Sequence, residues 1–446
     1  MNSSSHISIG LILEILSRLP SKSVARFRCV SKEWASMFGS PYFKELFLSM
    51  SSAKPRLLFA IAEDGDENGK ACWRFFSLPQ LENPYVKSSS TTLVAATDFH
   101  VRFSPDDLLI YHSYDPRYFS CGYASGLFYI YGDRNQGRPL VCNPVTGRYA
   151  ITPFRYTYRK AYSFFGFDPI DKQYKVLSIK YPSGPPGCHH KILTLEDGDM
   201  TWRRIKCPLR RPGIKSDGIC INGVLYFLCE REELSFDYVI VCFDVKSEKF
   251  TIIDVERICQ LINYKGKLAL IYWEDDVDIY EICYYGKDLD QYLKDNLEAD
   301  ATNELHVWVL EDVEKQEWSK YAYTWTDDRF FRRHVSIAGA TASGEIVFSM
   351  RTYTSKQPFY VFYFNPERNT LQRVEIQGFG EAFKQPCSVR TFLNHIEDLD
   401  VNDLKVLKSV HPPLVNPKYR GTLESDTEYR GSLELGESNG HVLLCS

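Results

Sequence analysis

The side chains that come nearest to a metal site are Cys188, His189 and His190, because thiolate and imidazole are the ligands that zinc prefers. The three are adjacent in one predicted loop, and the sequence points to no distant fourth ligand, so we expect no metal there. Asp275 and Asp276 have the types of a catalytic acid and base. They lie in a run of acids, which is more typical of a solvated loop.

Motifs for phosphate binding and nucleophilic catalysis are not evident in the folded part of the sequence. There is no Gly-x-x-x-x-Gly-Lys-Ser/Thr loop, and Gly378-Phe379-Gly380 lacks the third glycine and the following helix of a dinucleotide site, so it predicts a turn. No strand-to-helix elbow presents a serine nucleophile. The sequence therefore predicts neither a cofactor nor a catalytic residue.

Composition excludes several other classes. The chain has 446 residues, of which 44% are hydrophobic and 25% charged, enough for a sizeable core. Its 53 Lys and Arg nearly balance 57 Asp and Glu, so no field of one sign exists to hold nucleic acid or an acidic membrane. Thirteen scattered cysteines without a Cys-x-x-Cys pair are typical of thiols in a reducing compartment. With no signal peptide and no bilayer-spanning run, we expect a soluble protein of the cytoplasm and/or nucleus.

The first fifty residues have a helical hydrophobic period. Apolar residues recur at three- and four-residue steps from Ile9 to Leu19, which predicts an amphipathic helix that ends at Pro20. A second helix, capped by Ser23, follows with the same period. A unit of about forty residues encloses little volume, so we expect these apolar faces to need a partner surface. The faces consist of Leu11, Ile12, Ile15, Leu16 and Leu19, and of Val24, Phe27, Val30 and Trp34.

From about Pro55 the pattern changes to short alternating runs of β-branched and aromatic residues, which predict strands. A Gly turn followed by an apolar strand recurs, and Asn222-Gly223 is its strongest hairpin signal. A second turn begins with Asn, Asp or Glu and returns a large residue to the core six positions later, as from Asn143 to Tyr149. The Gly turns lie at Gly126, Gly223, Gly266 and Gly344, and the other turns begin at Asn143, Asp168, Glu196, Asp244, Asp312 and Asn365.

These turns repeat at intervals of about 45 to 55 residues, which favours a β-propeller, although an irregular β-rich domain is the alternative. A sixth unit would combine residues 56–79 with strands from residues 387–394, which would close the ring. The acidic segment 275–303 would be an insertion in one unit, and the polar tail after His411 is too small for a core and predicts disorder. Five units begin near Gly126, Asp168, Gly223, Gly266 and Gly344.

Two parts of the sequence resemble a known family. Residues 14–34, EILSRLPSKSVARFRCVSKEW, and the following Ser40-Pro41-Tyr42-Phe43 resemble the F-box of plant F-box proteins. Further along, residues 142–148, 165–169, 174–177 and 218–226 resemble the kelch-like, type 3 F-box-associated domain of the same family. The resemblance implies a multidomain protein: a small all-α F-box at residues 1–50, an all-β propeller of about six blades at 55–410, and a tail at 411–446.

The resemblance implies a non-catalytic subunit of an SCF-type ubiquitin ligase, in which the F-box binds a Skp-type adaptor, and through it a cullin, while the propeller binds an unknown protein substrate. The family usually has a proline and an acid where this chain has Ser8 and Gly10, so we expect a frayed first turn and weaker adaptor binding. The expected adaptor-binding residues are Leu11, Ile15, Leu16, Leu19, Pro20, Val24, Val30 and Trp34.

Substrate binding by a propeller commonly uses aromatic and Arg residues in loops at one end of its channel. Three loops fit this description, at residues 155–162, 182–190 and 325–333. Two other functions stay open at this point: a propeller enzyme such as a glycoside hydrolase, and an F-box scaffold that does not recruit a cullin. The expected substrate-binding residues are Trp325, Phe330, Phe331, Arg332 and Arg333.

Overall fold

The parts of the chain that the structure describes lie in the first of two compact units, Met1–Val410, the second being His411–Ser446. The structure is a computed structural model. No helix among the described residues has the length and apolar character needed to cross a membrane. The described residues are 8–63, 72–81, 93–103, 121–130, 139–153, 161–180, 190–195, 200–209, 212–232, 235–273, 303–325, 330 and 334–407.

Four helices form the N-terminal helical segment, residues 8–54. They are α1 (Ile9–Leu16), α2 (Ser21–Arg28), α3 (Lys32–Gly39) and α4 (Pro41–Ser52). The prediction of two helices was therefore wrong in detail, since residues 21–39 form two helices rather than one. The break arises because Ser31 caps α3, its hydroxyl accepting a hydrogen bond from the Trp34 N–H at 3.3 Å.

The start of each helix shows how the sequence ends one helix and begins the next. Ser8 and Ser40 cap α1 and α4 by accepting hydrogen bonds from N–H groups three residues later. The Ser8 hydroxyl occupies the cap of α1, where the family usually has a proline, and the fraying expected there stays a prediction. Ser23 is not a cap, since α2 begins at Ser21, directly after Pro20.

Strands account for most of the rest of the described chain. In order they are β1 (Arg56–Glu63), β2 (Cys72–Pro79), β3 (Leu93–Ala96), β4 (Asp98–Phe103), β5 (Cys121–Ala124), β6 (Leu127–Ile130), β7 (Leu140–Cys142), β8 (Tyr149–Ile151), β9 (Ala161–Asp168), β10 (Gln173–Lys180), β11 (His190–Thr194), β12 (Arg203–Ile205), β13 (Gly213–Ile214), β14 (Ile219–Ile221), β15 (Val224–Glu230), β16 (Tyr238–Asp244), β17 (Phe250–Val255), β18 (Gln260–Tyr264), β19 (Lys267–Trp273), β20 (Asn303–Asp312), β21 (Glu317–Trp325), β22 (Val335–Ala340), β23 (Ile346–Met350), β24 (Thr352–Tyr353), β25 (Phe359–Asn365), β26 (Thr370–Gln377) and β27 (Cys387–His395). A short helix, α5 (Leu399–Asn402), follows the last strand.

Within the described residues the strands form six sheets, which are the blades of a β-propeller, as the repeat of turns predicted. Blade 1 has the order β24-β27-β1-β2-β4, and blades 2 and 3 contain β5 to β8 and β9 to β12. Blade 4 contains β13 to β17, and blade 5 contains β18 to β21. Blade 6 has the order β22-β23-β25-β26-β3.

The ring is closed inside blade 1 by strands from the two ends of the propeller sequence. β27 pairs antiparallel with β1, with Arg56 opposite His395 and Ala62 opposite Ser388. β1 then pairs with β2 along its whole length. The closing strand was predicted at residues 387–394, and this prediction is confirmed.

A second connection between blades 1 and 6 was not predicted. In the sequence β3 lies between β2 and β4 of blade 1. It nevertheless pairs parallel with β26 at the outer edge of blade 6, with Leu93 opposite Val374 and Ala96 opposite Gln377. Unpaired N–H and C=O groups on an edge strand invite pairing with other chains. β3 covers this edge and joins the two blades on the outside of the ring.

Both predicted kinds of turn are present. Asn222 and Gly223 have φ values of 49° and 84°, the left-handed pair that a two-residue hairpin needs. The Asn143 side chain accepts a hydrogen bond from the Val145 N–H at 2.9 Å, and Asp168 accepts one from Ile170 at 3.0 Å. Gly378 and Gly380 also have positive φ and form the predicted turn before β27.

Tight packing between blades supplies most of the core. Phe164 of blade 3 stacks on Phe227 of blade 4 with ring centroids 4.1 Å apart. On the inner strand of blade 2, a Cβ at Gly122 would lie 2.8 Å from the Phe165 Cβ of blade 3, so a side chain has no room there. The cysteines are free thiols where described, and Cys142 and Cys387 are buried as expected, whereas Cys29 is exposed.

The strand directions give the propeller two different ends. The turns β5–β6, β7–β8 and β9–β10 approach the α5 region, as shown by the hydrogen bond of 2.8 Å between the Asn143 and Asn402 side chains and by the Lys172–Asp400 ion pair. We call this the helix end. Since successive strands are antiparallel, β6, β8 and β10, like the other second and fourth strands of the blades, run toward the opposite end, which we call the loop end.

Candidate partner-binding surface

Aromatic side chains hold the helical segment together. Phe27 stacks on Trp34 with centroids 5.3 Å apart, Trp34 meets Phe38 edge-on at 5.5 Å, and Phe38 contacts Phe43 at 4.8 Å. Phe38 and Phe43 are fully buried. The chain of rings fixes the angles between α2, α3 and α4 and so positions the residues on the outer surface.

Two of the residues predicted to bind an adaptor belong to this internal core instead. Leu16 is 7% exposed and Val24 is completely buried. Both pack in the cluster that contains Phe38 and Phe43. They have almost no surface to offer a partner, so the prediction for these two is corrected to a role in packing. Trp34 is half-buried in the ring stack described above.

The other predicted residues lie at the surface to different degrees. Leu11 and Ile15 are 55% and 57% exposed, and as they lie four residues apart they share one face of α1. Val30, between α2 and α3, is 65% exposed. Pro20 is exposed and Leu19 is half-buried at the junction of α1 and α2.

Sequence reasoning missed Ile9, which is 69% exposed. Its spacing to Leu13 and Leu16 puts all three on one helical face, and Leu13 and Leu16 are buried. Ile9 is exposed because it lies in the first turn of α1, before the point where the other helices cover that face. The helical period alone therefore does not predict that Ile9 is exposed.

The helical segment is also basic, in contrast to the chain as a whole. Residues 8–54 contain seven Lys and Arg against three Asp and Glu, whereas the full chain has a net charge of −4. Arg26 and Lys32 are exposed. Arg18 forms only a distant ion pair of 3.8 Å with Glu14. Exposed aliphatic side chains among basic ones suit a partner protein whose surface carries both apolar and acidic side chains.

Two of the predicted substrate-binding residues are corrected by the structure. Trp325 is 8% exposed and Phe330 is 4% exposed, and both pack with Trp273 and Phe348 in the core between blades 5 and 6. They are packing residues because the two blades meet there. Phe331, Arg332 and Arg333 lie outside the described residues.

The three predicted substrate loops follow β8, β10 and β21 in the sequence, and these described strands end at the loop end. Most residues of these loops lie outside the described ranges, as do Asp275, Asp276, Cys188 and His189. His190 is described as the buried first residue of β11. Among the described residues, no group of three or more His, Cys, Asp and Glu side chains could hold a metal ion.

A groove of about 430 Å³ opens on blade 5 beside the β25–β26 turn of blade 6. Its tyrosines are amphipathic contact residues, and Tyr321 is 46% exposed. Sequence reasoning missed this groove, because its walls come from strands and a turn of two blades. It is lined by Tyr264, Lys265, Lys267, Val309, Glu311, Tyr321, Tyr323, Pro366 and Glu367.

Two partly buried polar pairs, each with a histidine of blade 1, lie near the helical segment, where Lys22 Nζ donates to the His100 carbonyl oxygen. The Tyr123 hydroxyl lies 2.9 Å from His395 Nδ1, and the Ser77 hydroxyl lies 2.6 Å from His100 Nε2. Burial lowers the pKa of His395 to about 3 and that of His100 to about 4. Both imidazoles are therefore neutral at physiological pH and act as structural hydrogen-bonding groups.

The comparison with protein families covers both parts of the chain. The profile of the F-box domain matches residues 5–46, and that of the F-box associated beta propeller domain matches residues 56–396. The chain is similar to F-box protein At2g15640 of Arabidopsis thaliana, with 71% identity over 92% of this chain and 98% of the relative. It is 70% identical to F-box protein At2g16450 of the same plant, over 93% and 98% of the two chains.

Solved structures resemble the chain only distantly. Prolyl oligopeptidase B from Galerina marginata matches 72% of this chain and 40% of its own length, with 11% identity and a TM-score of 0.34, too low to transfer a function. The two family matches and the identities of about 70% to relatives of nearly the same length are decisive. The chain therefore belongs to the plant F-box proteins that carry an F-box associated β-propeller domain.

Proposed function

We propose that this protein is the substrate-recognition subunit of an SCF-type ubiquitin ligase, with no bond chemistry of its own. In this proposal the helical segment binds a Skp-type adaptor, which connects it to a cullin, and the propeller binds the protein to be ubiquitylated. The observation that carries the proposal is the exposure of Leu11, Ile15 and Val30, each over half exposed, on a segment that belongs to the F-box family.

Exposed aliphatic residues of this kind are a source of binding energy. Burying a Leu or Ile side chain contributes about 1.5–3 kcal/mol, so Leu11 and Ile15 together could supply several kcal/mol on docking. They cost the free protein little, because Leu13 and Leu16 on the other face of α1 already hold the helix in place. This division between inner and outer faces suits a segment that is held together from inside and binds a partner with the residues that remain outside.

The two ends of the propeller support a separation of tasks. The helical segment lies at the helix end, while the described second and fourth strands of the blades end at the loop end. Strands of six to nine residues, such as β9 and β16, span about 20–30 Å at 3.3 Å per residue. A substrate bound at the loop end would be held away from the adaptor at a fixed distance. Such a fixed arrangement raises the effective concentration of substrate near the ubiquitin-carrying enzyme.

The free thiols support a reducing compartment, so we place this activity in the cytoplasm and/or nucleus. Microscopy of the fluorescently tagged full-length chain would check this placement. Signal confined to the secretory pathway would contradict it.

The experiment that tests the function is co-purification of adaptor and cullin with the full-length chain. We expect both to be recovered, and expect Leu11→Ala with Ile15→Ala to weaken adaptor binding at least tenfold, since together they remove a few kcal/mol of apolar contact. Leu19→Ala with Pro20→Ala should act in the same direction. Val313→Ala is the matched control, because Val313 is a half-exposed aliphatic residue in the β20–β21 turn of blade 5 and not in the helical segment.

Each outcome has a separate meaning. No adaptor binding by the wild-type chain at micromolar concentration contradicts the proposal. Adaptor without cullin indicates a scaffold that does not recruit the ligase. Because the family usually has a proline and an acid at Ser8 and Gly10, binding weaker than that of relatives with those residues stays a prediction, checked by comparing their dissociation constants.

A further inference from the structure

The chain that follows the closing strand returns to the N-terminal helices. Residues 396–407, which we call the clasp, include α5 and lie between the helical segment and blades 2 and 3. The side chain of Leu399, 2% exposed, completes the core of the helical segment. Val401 and Leu407 are buried in the cluster formed by blades 2 and 3. The clasp thus makes apolar contacts on both sides.

Among the helices of the N-terminal segment, α2 stands apart in how it begins. α1, α3 and α4 each start with a serine hydroxyl that accepts a backbone N–H of the first turn. The residue before α2 is Pro20, whose side chain has no hydrogen-bonding atom. An uncapped first turn leaves N–H groups without partners and weakens the helix.

The clasp supplies the missing acceptor from 376 residues further along the chain. Glu397 Oε2 accepts a hydrogen bond from the Ser21 N–H at 2.7 Å. Glu397 is 8% exposed, so little solvent competes for this bond. A carboxylate at the positive end of the helix dipole is also favourable electrostatically. Glu397 therefore takes the place that serine has in the other three helices.

Several contacts hold this carboxylate in position. The Glu397 N–H donates to the Ser51 hydroxyl of α4 at 2.8 Å. Nearby, Arg28 pairs with Asp403 at 2.7 Å, and Lys44 pairs with Asp400 at 2.8 Å. The clasp contains four acids, and these pairs match it to the basic helical segment.

On the propeller side the clasp is anchored to the turn between β7 and β8. Arg148 donates from Nη1 to the Asn402 carbonyl oxygen at 2.6 Å, and Arg148 Nη2 also donates to the Leu407 carbonyl oxygen. Asn143 donates from Nδ2 to the Asn402 side chain at 2.8 Å. The acceptor for α2 is therefore fixed relative to the closed ring and not only to the helices.

We propose that Glu397 is a positioning residue for adaptor binding, acting by capping α2 from the clasp. This inference rests on the proposed function, because α2 begins directly after Leu19 and Pro20 and leads into Val30, which are among the residues expected to face the adaptor. Glu397 does not touch the adaptor in this proposal. It keeps the first turn of α2 helical, and a chain whose clasp is displaced would present this surface less often.

The test measures two quantities on the full-length chain: hydrogen exchange of the α2 peptide without adaptor, and the dissociation constant for a Skp-type adaptor. Glu397→Ala should speed exchange in α2 and weaken adaptor binding by about two- to thirty-fold, the range that corresponds to losing a helix cap. Glu397→Gln keeps an acceptor oxygen without the charge and should show a smaller effect. Glu381→Ala, at an exposed site on the propeller, is the matched control.

A second background tests whether Glu397 acts through the cap. Pro20→Ser gives α2 a serine of the kind that starts the other helices, so Glu397→Ala should change affinity less in this background than in the wild type. An equal loss in both backgrounds overturns the proposal, since interacting residues must show coupling in such a cycle. So does a Glu397→Ala chain that matches Glu381→Ala in both exchange and affinity.

The failure of the proposed function looks different. If the wild-type chain binds no adaptor, the ligase assignment fails, and the positioning role fails with it. If the wild-type chain binds but Glu397→Ala is without effect, only the present inference is overturned. The exchange measurement reports the cap itself in either case.

Discussion

The helical segment and the propeller bury their apolar side chains in different ways. The described part of the propeller buries large side chains between neighbouring blades, as Phe164 and Phe227 illustrate, and closes with its own strand β27. The helical segment leaves Leu11 and Ile15 outside and takes part of its core, Leu399, from the far end of the chain. The propeller is therefore closed by its own strands, whereas the helical segment depends on the clasp for part of its core and keeps aliphatic side chains at its surface.

Removal of the closing strand β27 should lower the unfolding free energy more than any single substitution. A chain that ends at residue 386 lacks β27 and the clasp, so β1 loses its inner partner and the helical segment loses Leu399. We expect loss of most of the cooperative unfolding free energy, on the order of the 5–15 kcal/mol typical of a whole domain. Urea unfolding followed by tryptophan fluorescence measures it.

The control is a chain that ends at residue 407, which keeps both β27 and the clasp. It should unfold as the full-length chain does. A chain ending at residue 386 that unfolds with the same midpoint as this control would show that ring closure contributes little.

Truncating an internal ring of the helical segment should have the next largest effect. Phe38 is fully buried among Trp34 and Phe43, so Phe38→Ala is expected to destabilise the helical segment by about 3–5 kcal/mol. Tyr42→Ala, at a residue that is 63% exposed, should cost less than about 0.5 kcal/mol. Helix content at 222 nm and tryptophan fluorescence can be followed in the same denaturation experiment.

This pair of variants tests whether the helical segment and the propeller unfold separately or together. If Phe38→Ala lowers only the transition seen by helix content, the two regions unfold separately. A single shared transition, shifted equally for both probes, would show instead that the clasp makes them one cooperative unit.

Acidification should act on the propeller more than on the helices, since residues 8–54 contain no histidine. Burial lowers the pKa of His395 to about 3 in the folded chain, against about 6.5 in the unfolded one. The unfolded state thus binds the proton first, and stability is lost as the pH falls below about 6.5, by about 2 kcal/mol at pH 5. Thermal unfolding between pH 7 and pH 5 measures this loss.

His395→Asn keeps a hydrogen-bonding group near the Tyr123 hydroxyl but does not titrate in this range. Its stability should therefore depend less on pH than that of the wild type. Identical pH profiles for the two chains would show that His395 does not control the acid sensitivity of blade 1.

The ion pairs that join the helical segment to the clasp should contribute least to stability. Hydrogen bonding to Lys44 lowers the pKa of Asp400, and although burial opposes it, the pairs with Asp400 and Asp403 raise the pKa of Lys44. The pairs are thus complete between about pH 4 and pH 10.5 and are lost outside that window. Because Asp400 is about half exposed, Lys44→Ala should cost less than about 1 kcal/mol.

Salt separates this effect from a loss of packing. The difference between wild type and Lys44→Ala should shrink as sodium chloride rises from 0.05 to about 1 M, where the screening length falls to about 3 Å. A difference that is independent of salt would point to the aliphatic part of Lys44 rather than to its charge.

The order of the blades could be predicted because its signals are local. Asn222-Gly223 specifies a tight hairpin by itself, and the Asx turn at Asn143 needs residues only a few positions away. β3 could not be predicted in the same way. Its four residues pair in parallel with β26 far along the chain, and no turn or period marks such a contact.

The binding surface could be predicted only in part. α1 reads IGLILEIL, so both of its faces carry apolar residues, and the period alone cannot decide which face turns inward. The structure decides it by placing Leu13 and Leu16 inside and Leu11 and Ile15 outside. The cap of α2 was beyond sequence reasoning, because its acceptor comes from Glu397 and not from the neighbourhood of Pro20.

The position of Glu397 has a consequence for how the protein is made. Ser21 leaves the ribosome long before its acceptor, and at about 5–20 residues per second the 376 residues between them take roughly 20–75 s to translate. During that interval β1 also lacks its partner strand β27. A nascent or prematurely terminated chain would therefore lack both the cap of α2 and the closing strand, so the adaptor-binding surface proposed above would be complete only after residue 397 has been translated.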